Sequence, residues 1–243
     1  MEWNPMKPWT RNEFCEHVYN VARQTMRGLR TEPTTERVIY LPHWWTKSEI
    51  RVFSEASVPR RTVDLIVDAI AERTREVLPA LKFDFRLLGN HESSARQVAA
   101  SLVNGEIDEM KLFSLALSEN WRDESRGGRQ HGDIYITTKP PIGDAVSWAA
   151  STFQHGAMLF CLTGDRVNSR EFLRKVTLHE TGHLMGQYSH CDEYKNVAGF
   201  TYTEACNMHY ACTYAELCKK CRTHFLWWWR GVLDEVEAQS AGT

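Results

Sequence analysis

The 243-residue chain has no apolar run approaching the roughly 18 residues that a membrane-spanning helix needs, so no such helix is expected. Met1 to Thr10 contains Trp3 and Trp9 but no apolar core of the kind that marks a secretory signal. Net charge is also lacking. Its 29 basic and 31 acidic residues leave a formal charge of -2, which implies no broad basic surface for nucleic acid or an anionic membrane. Internal repeats and low-complexity tracts are absent, which excludes a repeat array. A hydrophobic fraction of 42% supports a real core, at a length that suits one large domain or two small ones. These features together set the expectation of a soluble, cytoplasmic protein.

Cysteine, by contrast, is plentiful. There are seven, and Cys191, Cys206, Cys212, Cys218 and Cys221 are clustered within one short stretch. In a reducing compartment such clustering suggests metal before disulfides. Just upstream runs His179-Glu180-Thr181-Gly182-His183-Leu184-Met185-Gly186, then Gln187-Tyr188-Ser189-His190-Cys191. Histidines four apart share one face of an α-helix. Two such imidazoles can fill two corners of a zinc tetrahedron, with Glu180 beside them as general base. Gly186 can end the helix, since glycine adopts the left-handed conformation at no steric cost, and His190 can return to a third corner. A fourth corner left to water makes such a site catalytic. The competing reading is a surface helix with two solvated histidines. An H-E-x-x-H string arises by chance in on the order of one ordinary chain in a hundred, but the following Gly186 and His190 make accident a poor explanation.

Along the rest of the chain, Thr10 to Glu13 has capping-box spacing. Phe14, Val18, Val21, Ala22 and Met26 follow at helical spacing, so an N-terminal helix is expected to end near Gly28. Cys15 and His17 within it read as packing or surface. Val38 to Leu41, stopped by Pro42, reads as a buried strand. A helix is expected from after Pro59 to Leu78, on a stripe of Val63, Ile66, Val67, Ile70 and Val77. Lys82 to Leu88 alternates as a strand, Ser94 to Val103 as a short helix of ambiguous pattern, and Ile107 to Leu117 as another helix. Glu119 to Gln130 reads as a loop. Asp133 to Thr137, Ala145 to Phe153 and Gly156 to Leu162 read as three further strands, the last and most apolar expected to be central. Cys161 inside it reads as a core thiol. Asn168 is the expected N-cap of the helix that carries the histidines, with Glu171 three residues on, and that helix is expected to reach Gln187. A final helix over Ala215 to Ala238 carries Trp227, Trp228 and Trp229, read as packing rather than as a ligand site. The alternation predicts an α/β (α+β) fold, a mixed sheet with helices packed on it.

These residues resemble the metzincin clan of zinc peptidases, and the archaemetzincins within it. Three features carry the resemblance: the H-E-x-x-H-x-x-G helix with a later histidine, Cys191 directly after that histidine, and Cys206-Asn207-Met208 followed by Cys218-x-x-Cys221. It is clear from about Asn168 to Cys221. Upstream it is only a matching order of strands and helices. It implies a twisted mixed sheet and active-site helix in an upper subdomain, above a small irregular zinc-stabilised subdomain ending in a helix. The corresponding division is an N-terminal helical extension over residues 1–36 and a catalytic domain over 37–243. The latter splits into 37–186 and a Cys-rich 187–243. The resemblance further implies two zinc ions per chain. One is catalytic, on His179, His183 and His190. The other is structural, on Cys191, Cys206, Cys218 and Cys221. Met208 belongs to the Met-turn below the catalytic zinc.

Departures from the family pattern bear on geometry. Three residues, not two, separate Gly186 from His190; were His190 displaced, Asp192 is the next candidate ligand. The gap from Cys191 to Cys206 is longer than in the family and that from Met208 to Cys218 shorter. Cys212 is an extra thiol that can compete as a ligand. Met208-His209-Tyr210 is also similar to the Met-turn of astacins and serralysins, which implies that Tyr210 can hydrogen-bond a developing oxyanion. An ordinary packed tyrosine explains it equally well. His209 is not needed as a ligand.

The activity implied is peptide hydrolysis. Water in the open position, acidified by zinc, gives its proton to Glu180, which passes it to the leaving amine. An extended substrate would add along a sheet edge, for which Ala145 to Phe153 is the candidate. The expected partner is a peptide or protein substrate, with no nucleic acid and no membrane, acted on by a monomer. Two rival classes stand beside this: a zinc-stabilised binding module of weak or no activity, and a zinc hydrolase of a non-peptide amide.

Overall fold

The structure, a computed structural model, describes residues 49–77, 84–116, 131–143, 147–151, 156–163, 169–185, 190–191, 205–209, 211–219 and 221–222. The expected N-terminal helix, the strand Val38 to Leu41, the loop Glu119 to Gln130 and the tryptophan run Trp227 to Trp229 lie outside these residues, as do Gly186, Asp192 and Tyr210.

Period-two alternation sets the sheet. β1 (Glu49–Ser54), β2 (Asp84–Gly89), β5 (His131–Thr137), β6 (Ser147–Ser151) and β7 (Gly156–Cys161) form one five-stranded sheet in the order β2-β1-β5-β7-β6. The pairs β1–β2, β1–β5 and β5–β7 are parallel, and β6 runs antiparallel to β7 at the end of the order. Ile50, Val52, Ile134, Ile136, Met158 and Phe160 point to one face and share a core with Val63, Ile66, Ile70, Leu173 and Val176. Phe53, Tyr135, Ala157, Leu159 and Cys161 point to the other and pack with Val98, Met110, Leu112 and Phe113. Side chains alternate across a strand, so each strand feeds two cores. Each fully buried Ile or Phe contributes about 1.5–3 kcal/mol.

Helices cover both faces. α1 (Arg60–Val77) and α4 (Arg170–Leu184) pack together on the first face. α2 (Glu92–Ser101) and α3, helical through the described residues 109–116, contribute to the second. Between them a two-stranded antiparallel pair, β3 (Leu102–Val103) and β4 (Glu106–Ile107), turns at Asn104-Gly105. Both turn residues have positive φ, which such a hairpin requires. This is the mixed α/β fold that the alternation predicts. No helix among the described residues is long and apolar enough to cross a membrane.

Several expectations need correction. β1 is not among the expected strands, although Ile50 and Val52 flank Arg51 in plain alternation; the charged Glu49 and Arg51 break up its apolar run. β7 is interior and buried at all six residues, but β5 is the middle strand. Ile107 belongs to β4 rather than to the helix that follows, and Leu102–Val103 to β3 rather than to the helix before. The N-cap of α4 is Ser169, one residue later than expected. Its backbone is extended, and its hydroxyl accepts the Phe172 N–H at 3.3 Å. α4 stops at Leu184, short of Gln187. Near the C-terminus the chain turns helical at Lys219, not Ala215. Residues 215 to 218 are spent on other bonds: the Ala215 carbonyl accepts from Arg73, the Glu216 carbonyl from the Asn207 N–H, and the Cys218 N–H donates to Cys206 Sγ.

Candidate metal centres

α4 is enclosed along its second half. Every residue from Val176 to Leu184 is buried, so this is not the one-sided helix of a protein surface. Two buried threonines solve their own polarity: the Thr177 and Thr181 hydroxyls donate to the carbonyls four residues earlier, each at 2.7 Å. His179, Glu180 and His183 are only 6, 7 and 9% exposed. The alternative of two solvated histidines is therefore excluded.

His179, His183 and His190 converge. Their ring centroids are 4.7 Å apart for the first pair, 5.2 Å for His179 and His190, and 5.0 Å for His183 and His190. The structure thus brings His190 alongside the other two despite the extra residue before it. The Asn207 carbonyl lies 2.6 Å from His179 Nδ1. A carbonyl can only accept, so Nδ1 carries the hydrogen and Nε2 keeps a lone pair. That Nε2 lies 3.0 Å from Nε2 of His183. Two nitrogens bound at 2.0–2.1 Å in a zinc tetrahedron would stand about 3.4 Å apart, so the pair is already close to bound geometry. Glu180 is on the same turn but outside the ligand group. The Ser147 hydroxyl of β6 donates to its Oε1 at 2.9 Å. This ties the candidate base to the first residue of the sheet's end strand.

A second donor set lies beside the first. One ligand atom each from Cys191, Cys206, Cys218 and Cys221 falls within 4.8 Å of the others. Cys191, Cys206 and Cys221 are fully buried and Cys218 partly so. None of the six described cysteines is in a disulfide. Cys191 Sγ and Cys218 Sγ are 3.8 Å apart, which is the edge of a tetrahedron with Zn–S bonds of about 2.3 Å. Backbone N–H groups of Cys218 and Cys221 donate to Cys206 Sγ and Cys218 Sγ at 3.3 and 3.5 Å. Sharing of S–H hydrogens divides the four. A hydrogen bond from Cys191 holds Cys206 down at about 7 and pulls Cys218 down as well. Bonds with Cys206 and Cys191 push Cys191 and Cys221 up. Four packed sulfurs cannot all ionise alone, and a dication in place of the shared hydrogens lets them. Both donor sets fit a zinc ion by chemistry and spacing.

Cys212 takes no part in the four-sulfur group. Its Sγ donates to the Lys175 carbonyl at 3.2 Å, and burial pushes its pKa up to about 12. Cys161 is likewise a core thiol, pushed up to about 12 by burial. The His209 Nδ1 accepts the Ala211 N–H at 3.0 Å, capping its own turn, and His209 lies outside the histidine group.

Four further residues went unread in the sequence. Ser147 holds Glu180. Asn207 presents the carbonyl to His179. Arg73 is fully buried and bonds Asn207. It falls at helical spacing on the stripe of Ile66, Ile70 and Val77, and a charged residue there was the available signal. Gly182 was the least legible. A Cβ at that position would overlap Sδ of the fully buried Met208. Met208 also gives its carbonyl to the Cys191 N–H at 2.6 Å, so it lies against the histidine helix while binding the neighbour of His190.

No family model matches this chain, and no curated protein does. Solved structures similar to it include an archaemetzincin from Archaeoglobus fulgidus complexed with malonate. That pair is 14% identical over 72% of this chain and 98% of the other, with a TM-score of 0.41. A second is an archaemetzincin from Methanopyrus kandleri, 16% identical over 77% and 96%, with a TM-score of 0.43. A third is metalloproteinase-II from Bacteroides fragilis, 13% identical over 86% of this chain and 59% of that one, with a TM-score of 0.48.

The Gly182 contact generates a prediction. Gly182→Ala gains about 1 kcal/mol of helix propensity but overpacks the buried Met208, at a cost of about 1–3 kcal/mol. Urea denaturation should show net destabilisation. Met208→Ala should relieve part of it, so the double variant is more stable than the sum of the single losses. Strictly additive losses would separate the two residues.

Proposed function

We propose that this chain is a zinc-dependent metallopeptidase, with Glu180 as general base. One observation carries the reading. Three imidazoles converge with 4.7 to 5.2 Å between ring centroids, while a buried carboxylate that is not one of them stands on the same helical turn. A purely structural metal site has no use for that carboxylate.

In this reading His179, His183 and His190 hold the catalytic Zn²⁺. When bound, the ion supplies a Lewis acid that lowers the pKa of water towards about 7 and polarises a carbonyl. Glu180 accepts the proton of the attacking water and returns it to the leaving amine. The Ser147 hydroxyl orients Glu180 through its bond to Oε1. β6, at the end of the described strand order, receives an extended peptide, which adds as a further strand. Tyr210 is proposed as an oxyanion donor, and Met208 as the Met-turn residue beneath the histidines. Cys191, Cys206, Cys218 and Cys221 hold a second, structural Zn²⁺, which makes two per chain. The chain acts as a cytoplasmic monomer with a catalytic domain over 37–243.

Two experiments test this. Glu180→Ala should abolish peptide hydrolysis while the protein keeps near-stoichiometric zinc at the histidines, because Glu180 is not a ligand. His190→Ala should lose that zinc as severely as His183→Ala. Wild-type turnover in Glu180→Ala would remove it from the mechanism. Zinc uptake with no hydrolysis of any peptide by the wild type would leave a binding module or a hydrolase of another amide.

The second experiment concerns the cysteines. Metal analysis of the active protein should give two zinc ions. Cys218→Ser combined with Cys221→Ser should lower activity and disorder the C-terminal region, since that metal would provide its folding free energy. Cys212→Ser should be mild. A single zinc ion in active protein would refute the second site.

A further inference from the structure

Among the described residues, Arg73 is the one charged side chain among the largest fully buried ones. Its guanidinium spans three parts of the fold. Nε donates to the Leu178 carbonyl at 3.3 Å, one residue before His179. Nη2 donates to Asn207 Oδ1 at 2.6 Å and to the Ala215 carbonyl at 3.0 Å. Nη1 binds the Glu76 carboxylate, which is in turn held by Arg222 at 2.7 Å. Asn207 is fully used. Its Nδ2 donates to the Lys175 and Tyr214 carbonyls at 3.0 and 2.7 Å, and its own N–H donates to the Glu216 carbonyl at 2.7 Å. The carbonyl that remains is the one that receives His179 Nδ1–H.

We propose that Arg73 is a positioning residue for His179: its planar fork locks the Asn207 carbonyl and the Leu178 peptide together, and so fixes the tautomer and direction of that imidazole. This rests on the metal-site reading above and adds to it a residue from α1, distant in sequence from both donor sets. A guanidinium is suited to the task. It stays charged when buried and reaches several acceptors in fixed directions. Burial pulls its pKa down, and the Glu76 carboxylate works against that loss. Lysine at this position carries the charge but cannot reach the same acceptors from one nitrogen. The 206–218 segment bonded by Arg73 also carries two of the four cysteines.

Cobalt(II) separates the sites, because tetrathiolate cobalt has intense sulfur-to-metal charge-transfer bands that a histidine site lacks. The full chain, stripped of metal, is titrated with Co²⁺ against a competing chelator. Arg73→Lys should keep the thiolate bands and lose about 10- to 100-fold in affinity at the histidines, the usual effect of removing an outer partner of a ligand. The His179 Nδ1–H resonance of ¹⁵N-histidine-labelled protein should shift or vanish. Glu76→Gln, which spares the bonds to Leu178, Asn207 and Ala215, should leave both affinities close to wild type. Unchanged histidine affinity in Arg73→Lys, or equal weakening of both sites, overturns the proposal. Should Arg73→Lys fail to fold, Arg73→Gln takes its place. Its amide reaches fewer of the three acceptors, so histidine affinity should fall with the thiolate bands kept; unchanged histidine affinity, or equal weakening of both sites, overturns the proposal. Wild-type protein that binds cobalt at the thiolates and none at the histidines would instead sink the metallopeptidase reading itself.

Discussion

An imidazole that is to present one nitrogen to a metal must surrender the other to a fixed acceptor, or its tautomer and direction drift. His179 meets that condition with the Asn207 carbonyl at 2.6 Å. Much of the surrounding structure serves to hold these two groups in register. α4 is buried on all sides from Val176 onward, so the imidazole cannot swing away. Asn207 has no freedom either, since its amide, its N–H and its side-chain oxygen are each committed to a different element. Buried polar networks of this kind are costly when half-made and rigid when complete.

The two donor sets are built from different chemistry at close quarters. The histidines sit on a helix that the sheet supports, and a helix fixes the spacing of His179 and His183 without help. The four cysteines come from three stretches of chain, Cys218 and Cys221 flanking the helical start at Lys219, and no one element fixes all their positions. Sulfur compensates for this. The thiols are drawn together by mutual hydrogen bonds and N–H···S contacts, and a shared dication would close that segment on itself. His190 and Cys191 are adjacent, one in each set. Met208 lies against Gly182 while its carbonyl holds the Cys191 N–H. The two sets are therefore joined by covalent neighbours and by Met208, not by any long path.

The position of Glu180 follows from the same packing. α4 packs against β6 and β7, and that packing brings the Ser147 hydroxyl to the carboxylate. The proposed base thus depends on the strand proposed to receive substrate. This places the carboxylate, the imidazoles and the end strand of the described order in one region.

The sequence by itself determined the parts whose physics is local. A four-residue spacing puts His179 and His183 on one helical face whatever else the chain does. Alternation in Asp133 to Thr137, and the unbroken apolar run before Leu162, decided β5 and β7, and Cys-x-x-Cys fixed two sulfurs close together. Resemblance of motif extended this to His190 and the remaining two cysteines, which the structure does gather. Tertiary structure alone decided the rest, because those choices depend on residues far apart in the chain. Arg73 reads as one more charged helix residue until Asn207 is found opposite it. Ser147 gains meaning only when β6 lands over α4. The late start of the last helix reflects carbonyls claimed by α1 and by the 206–209 turn. Gly182 shows the limit most plainly: nothing around it in sequence calls for glycine, and only the Met208 thioether, arriving from a separate part of the chain, leaves no room for a β-carbon.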